Sequence, residues 1–312
     1  MALRDLQPSS NSNILSFPPQ DAKRIKLVSS PFAKCRKWRA IEAFPDQEGY
    51  YPKEVIIQLD QESFLRVGIA NGVNSKIKLE DAKELVRYGY TERFGEFAGE
   101  IKSDALRKPI EAKDERTFVA YVGDNTHSEK PIGTFTATVI ETDSYMSLQK
   151  ITGLKLITNI RELLEDYNGG EIHTLVEYGS LSFIDPYRKN AVGFPKKGTM
   201  EALNTMTYLT CQWIRHAFKN IDLNGNIYFF AILQEAVANT IIGKYRIPFV
   251  KVSNRDQLKL NNADYNDYFD KTAAYWNGTG PLQVSLYACR FDQFEKQVNI
   301  NIDLIKNGAN EQ

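Results

Sequence analysis

Residues 175–184 constrain the fold of this chain more than any other stretch. They form an apolar strand that carries Glu177 inside it and runs out into Asp185-Pro186-Tyr187-Arg188-Lys189. A loop with Gly193, Lys196, Lys197 and Gly198 follows, then a helical run over 201–219 with Ala202, Met206, Leu209, Trp213 and Ala217 on one stripe. Residues 226–233 are then continuously apolar, the pattern of a strand buried on both faces. A strand, a basic loop and a helix in this order set free backbone N–H groups beside cationic side chains. The loop therefore reads either as a cradle for a phosphate-bearing donor, with Arg188, Lys189, Lys196 and Lys197 adding charge, or as an ordinary solvated basic loop. Gly193 and Gly198 would allow close backbone approach.

The rest of the chain supplies the sheet around that core. Residues 54–59 read as a strand, and 79–94 as a helix with Ala82, Val86, Tyr90 and Phe94 on one face. Residues 116–122 and 132–140 alternate, with Phe135, Ala137 and Val139 on one side and Thr134, Thr136 and Thr138 on the other. Gly123-Asp124-Asn125 and Pro131 between them predict a hairpin with a moderate loop. A helix over 156–167 ends at Asn168-Gly169-Gly170. Residues 234–245 predict a short helix, 247–252 a strand, and 283–291 the strand that completes the sheet. Helices alternate with strands only in the second half, so the fold class is α/β (α+β) with a mixed sheet. The expected layout is a disordered, basic N-terminal extension over 1–50 and one domain over 51–300 with a polar insertion at 253–280. A tail covers 301–312.

Composition excludes several function classes. Lys and Arg number 39, as do Asp and Glu, so net charge gives no case for a nucleic-acid partner or an anionic membrane. No apolar run reaches the roughly 18 residues a transmembrane segment needs, and the N-terminus lacks a secretory pattern. Cys35, Cys211 and Cys289 are odd in number and widely spaced, which suits a reducing, cytoplasmic compartment. With His127, His173 and His216 scattered, no metal site is expected. Cys211 and Trp213 read as core, and His216 as a partner of the helix end. The basic run through 22–27 and 34–39 reads as a solvated arm or amphipathic lead-in helix, or as a dock for an acidic partner, and residues 22–27 also read as a short nuclear-import signal.

Within the strand, the two-residue period puts Glu177 on a face with Leu175, Gly179, Leu181 and Phe183. Apolar surroundings desolvate a carboxylate and make it a stronger base for an ammonium acceptor. The alternative is an ion pair that holds the core, for example with Arg87.

Three stretches resemble the GNAT acyltransferase superfamily, in its N-acyl amino acid synthase and acyl-homoserine-lactone synthase branch. They are the helix Asp81-Ala-Lys-Glu-Leu-Val-Arg87-Tyr-Gly-Tyr90, the hairpin 118–122 with Ile132-Gly-Thr134, and Glu177-Tyr-Gly-Ser-Leu181 with Asp185-Pro-Tyr-Arg188. The late stretches 229–249 and 275–281 are similar too. The resemblance implies a mixed, mostly antiparallel central sheet in which two parallel strands splay to grip a pantetheine arm. It implies no tightly bound cofactor, with acyl-CoA or the acyl-phosphopantetheine of an acyl carrier protein as co-substrate, and a small amine acceptor. The splay would lie between the strand ending near Ile184 and that ending near Leu233. Glu177 would be the base, and the backbone around Gly179 and Leu181 the oxyanion donor. Tyr245 would protonate the leaving thiol or pack as an ordinary tyrosine; Arg87, with Tyr90 beside it, would clamp the acceptor carboxylate or form a structural pair.

Residues 188–198 do not match the family's Gly-containing donor signature, and Ser180 stands where the lactone synthases carry Arg. Two other outcomes remain open on these departures: a catalytically degenerate module that binds an acyl ligand or protein partner, and a protein acetyltransferase.

Overall fold

Alternating apolar residues build the sheet strand by strand. The computed structural model describes residues 38–41, 51–70, 76–94, 100, 103, 115–124, 129–140, 160–184, 198–219, 223, 227–253 and 284–307. All lie in one compact unit, Lys34–Gln312. Nine strands are described: β1 (Trp38–Ile41), β2 (Glu54–Gln58), β3 (Ser63–Ile69), β4 (Glu115–Asp124), β5 (Glu129–Ile140), β6 (Thr174–Phe183), β7 (Ile227–Gln234), β8 (Val250–Ser253) and β9 (Val284–Arg290). Their order in the sheet is β1-β2-β3-β4-β5-β6-β7-β9-β8. The described pairs are antiparallel except β6 with β7, which are parallel. The expected mixed, mostly antiparallel sheet is therefore the one observed.

One face carries the main core. Phe135, Ala137 and Val139 of β5 lie there as the alternation predicts, with Val176 and Tyr178 of β6 and Phe229 and Ala231 of β7. Helix α3 (Thr199–Ala217) covers this face through Ala202, Met206, Leu209 and Trp213. The other face is covered in two places. Helix α1 (Leu79–Phe94) packs Ala82, Leu85 and Val86 on Val119 and Tyr121. Helix α2 (Ile160–Asn168) packs Ile160 and Leu164 with Leu175, Tyr228 and Phe230.

Three elements go beyond the sequence expectations. Residues 63–69 form β3, with Leu65 and Val67 buried in the main core. The β2–β3 turn has no Gly or Pro to mark it; Asp60 makes it instead, its Oδ1 accepting the N–H groups of Glu62 and Ser63 at 3.0 and 2.8 Å. Strand β1 falls inside the stretch assigned to the extension, with Trp38 opposite Ile57. Residues 291–307 form a helix, α5, rather than the end of a strand and the start of a tail. Phe291, Phe294, Val298, Ile302 and Ile305 are its buried stripe. Phe229 stacks on Phe294 at 4.1 Å and on Phe291 at 6.0 Å. Each fully buried ring contributes on the order of 1.5–3 kcal/mol, so α5 belongs to the core. The basic run before β1, the insertion from 254 to 280 and residues 308–312 lie outside the described residues.

Candidate functional site

Strand register shows where the candidate residues of β6 sit. Strands β6 and β7 pair over four positions, from Thr174 opposite Ile227 to Glu177 opposite Phe230, and there the described pairing ends. Beyond that point β6 stays with β5 as far as Phe183 opposite Gly133, and β7 stays with β9 as far as Gln234 opposite Val284. The seam between the parallel strands therefore opens at Glu177 and Phe230.

A bulge lies just past the opening. Thr136 faces Gly179 and Thr134 faces Ser182, so Phe135 alone spans Ser180 and Leu181. Ser180 takes a left-handed conformation, with φ of 49°. A bulge sets one residue outside the ladder and bends its strand, here on the edge that has parted from β7. Among the described strands, a mixed sheet whose one parallel pair parts at mid-strand is the layout that the GNAT resemblance implies. The fold is GNAT-like.

The bulge also corrects one sequence expectation. It interrupts the two-residue period, so Leu181 and Phe183 pack with the main core, on the face of Tyr178 and opposite Glu177. Ser182 takes the other face instead, where its hydroxyl donates to Leu85 O of α1 at 2.7 Å. A Cβ at Gly89 would sit 2.0 Å from that hydroxyl oxygen, so α1 approaches β6 closely only because Gly89 has no side chain.

Glu177 is buried, 8% exposed, on the face that α1 and α2 share. It belongs to a polar seam between their two apolar clusters. Glu115, Thr138 and Glu177 stand in register across β4, β5 and β6; Thr117, Thr136 and Gly179 form the next row. The Thr138 hydroxyl donates to Glu115 Oε2 at 3.3 Å. The sequence reading missed Glu115, and the signal was available: a carboxylate that opens an apolar strand opposite three alternating threonines.

Tyr245 lies on the opposite face. It closes a π-helical turn (Thr240–Lys244) that continues the short helix α4 (Glu235–Asn239) leaving β7. Its ring is half-buried against the main core. Burial, and then the Glu201 carboxylate, push its phenol above the ordinary value of 10.0. It lies close enough to Tyr178 to raise that phenol electrostatically, although burial is the larger cause there. Tyr178, the first residue past the opening, also bonds Thr207 of α3 at 3.3 Å. Glu177 and Tyr245 are thus on opposite faces of the sheet, and the seam opens between those faces.

The remaining candidates are dispersed. Arg87 is on the outer side of α1, its side chain 62% exposed and 3.8 Å from Glu100, so it is not brought to Glu177. Tyr90 packs against the α1 cluster. Gly198, at φ 102°, precedes α3 without a side-chain cap, and a Cβ there would meet Leu59 and Val122 at 3.4 and 3.5 Å. Arg188, Lys189, Gly193, Lys196 and Lys197 lie outside the described residues. A cavity of about 820 Å³ lies away from the seam, between the end of α3 and α5, lined in part by Arg215, Lys219, Phe291, Glu295 and Lys296. Arg215 and Glu295 pair across it, and it contains none of the candidate residues. Among the described residues no group of His, Cys, Asp or Glu is placed to hold a metal ion. No described helix is long and apolar enough to cross a membrane.

No known family profile matches the sequence, and no curated protein does. Among solved structures the chain is similar to FeeM, an N-acyl amino acid synthase from uncultured soil microbes. The two are 13% identical, with 75% of this chain and 93% of that one covered, at a TM-score of 0.39. A GNAT-family acetyltransferase from Streptococcus pneumoniae is also 13% identical, covering 72% and 98% at 0.34. A spermidine N-acetyltransferase from Vibrio cholerae, solved with CoA and spermine, is 11% identical, covering 75% and 98% at 0.35. Likenesses this distant transfer no residue, substrate or reaction to this chain.

Proposed function

We propose that this protein is an N-acyltransferase. It moves an acyl group from a pantetheine thioester, acyl-CoA or an acyl carrier protein, to the amine of an amino acid or similar small molecule. The observation that carries this reading is the seam opening at Glu177 and Phe230 with the Ser180 bulge beside it. An opened edge offers unladdered peptide groups to the amides of a pantetheine arm, and it joins the two faces of the sheet at one point.

In this reading the acceptor enters from the Glu177 face. Glu177 takes a proton from its ammonium, and the free amine attacks the thioester carbonyl carbon. The backbone N–H groups at Ser180 and Leu181 hold the oxyanion as the tetrahedral intermediate forms. The C–S bond then breaks, and Tyr245 protonates the departing thiolate. A phenol held above its ordinary value stays protonated at neutral pH, so the proton is there to be given. Arg188, Lys189, Gly193, Lys196, Lys197 and Gly198 would hold the donor's phosphate. Arg87 and Tyr90 would meet the acceptor only if α1 turns on closing, since Arg87 now faces Glu100.

The test is thiol release from acyl-CoAs of graded chain length with mixed amines, with mass spectrometry of the products. Glu177→Gln is expected to lower turnover by about a hundredfold while stability stays within about 1 kcal/mol. A variant as active as the wild type would remove Glu177 as the base. Binding of acyl-CoA without thiol release at every chain length would favour a ligand-binding module instead.

A further inference from the structure

A buried carboxamide chain ties α5 to Tyr245. The Asn301 Nδ2 group donates to Asn204 Oδ1 at 2.8 Å and to the Tyr245 carbonyl at 3.1 Å. A carboxamide nitrogen has two hydrogens, and these two acceptors use both. Gln297 Nε2 donates to Asn301 Oδ1 at 3.0 Å, and Asn204 Nδ2 donates to Met200 O at 3.0 Å in the first turn of α3. Asn301 is 6% exposed and Asn204 is 3% exposed. One connected chain thus runs from the C-terminal helix through Asn301 to Tyr245 on one branch and to the start of α3 on the other.

The backbone at Tyr245 needs such a hold. Its N–H closes the π-helical turn on Thr240 O at 3.3 Å, and Arg246 after it sits at φ of 55°, a conformation that costs a non-glycine residue energy. Ile247 N then returns to Ile241 O at 3.2 Å. A π turn followed by a left-handed residue persists only where the surroundings over-determine it. Asn301 binds the one carbonyl between those two irregularities.

We propose that Asn301 is a positioning residue: it fixes the Tyr245 backbone, and through it the phenol, at the mouth of the opened seam. This rests on the use of Tyr245 as proton donor in the acyl-transfer reading. It makes the C-terminal helix, which follows the last strand, a working part of the site. Removing both donor hydrogens frees the turn, lets the ring wander and slows protonation of the leaving thiolate. Donor and acceptor binding are left in place.

The experiment compares Asn301→Asp, close in shape but without the NH2 group, with Asn301→Ala, Tyr245→Phe and the double variants. In thiol-release assays, kcat is expected to fall about tenfold to a hundredfold for Asn301→Asp, with KM for the acyl-CoA within about twofold. In the Tyr245→Phe background the same change should cost nothing further, since residues acting as a unit are not additive. An equal loss in both backgrounds would overturn the assignment, as would a wild-type kcat in Asn301→Asp.

A second measurement does not need turnover. In protein labelled at tyrosine Cζ, the Tyr245 resonance is identified by its disappearance in Tyr245→Phe. In Asn301→Ala, which removes the NH2 group without adding a charge, it should titrate closer to the ordinary 10.0 than in the wild type. An unchanged titration overturns the positioning role even if no acyl donor is ever turned over. A shifted titration with no turnover upholds it and faults the acyl-transfer reading alone.

Discussion

Glu177 and Tyr178 are neighbours in the chain, and strand alternation sends them to opposite faces and different chemistry. Glu177 joins Glu115 and the threonines Thr117, Thr136 and Thr138 in a polar seam, while Tyr178 bonds Thr207 beneath α3. The two described cysteines show the opposite fate, burial that silences a reactive group. Burial pushes Cys289 from 9.0 up to about 12 and Cys211 well above its ordinary value. The thiolate is the nucleophile, so neither should react with a disulfide reagent at pH 8 in the native protein, and both should react once it is unfolded. Peptide mapping after a short labelling pulse checks this; rapid native labelling of Cys289 would contradict its placement. A thiol kept protonated by folding contributes stability below its unfolded value, and that contribution is lost as pH climbs toward the folded one. Stability should therefore decline between about pH 9 and 12, and Cys289→Ala should flatten part of that decline in denaturant titrations.

At the scale of elements, β6 was legible in outline and misread in detail. Its apolar content and its carboxylate located the strand, but a two-residue period holds only while the ladder is regular. The bulge opposite Phe135 moved Leu181 and Phe183 to the other face; Gly179 inside the strand was its one sequence signal, and Ser180 hid it, since Ser is an uncommon choice for a left-handed position. Ser180→Gly should leave stability close to that of the wild type, and Ser180→Val should cost about 1–2 kcal/mol more than Ser180→Gly. Thermal unfolding of the two variants checks this, and equal stabilities would argue against a left-handed Ser180. Helix α5 was overlooked for a different reason. Its stripe of Phe291, Phe294, Val298, Ile302 and Ile305 follows β9 without a break, so helical periodicity begins where strand periodicity stops.

For the molecule as a whole, α5 closes the main core, covering Phe229 on the strand beside the opened seam. A chain ending at Arg290 would bare the rings that Phe291 and Phe294 cover. It should lose cooperative unfolding by calorimetry, and a sharp transition near the full-length temperature would show that α5 is dispensable. By itself the sequence determined the form of several core segments: the alternating threonines of β5, the stripe of α3 and the apolar run of β7 each carry their periodicity locally. It also determined that a carboxylate sits inside β6, because that needs only a residue and its neighbours. Tertiary structure alone decided where the parallel seam opens, which face each residue past the bulge takes, and that Arg87 points away from Glu177. It also brought Asn301 to the carbonyl of Tyr245, 56 positions away in the chain. Periodicity is a property of a few consecutive residues, whereas a splay, a bulge and a carboxamide bridge arise where separate segments compete for the same hydrogen bonds. Glu177 is thus a residue the sequence could point to, and the site proposed around it forms only once β6 and β7 have parted.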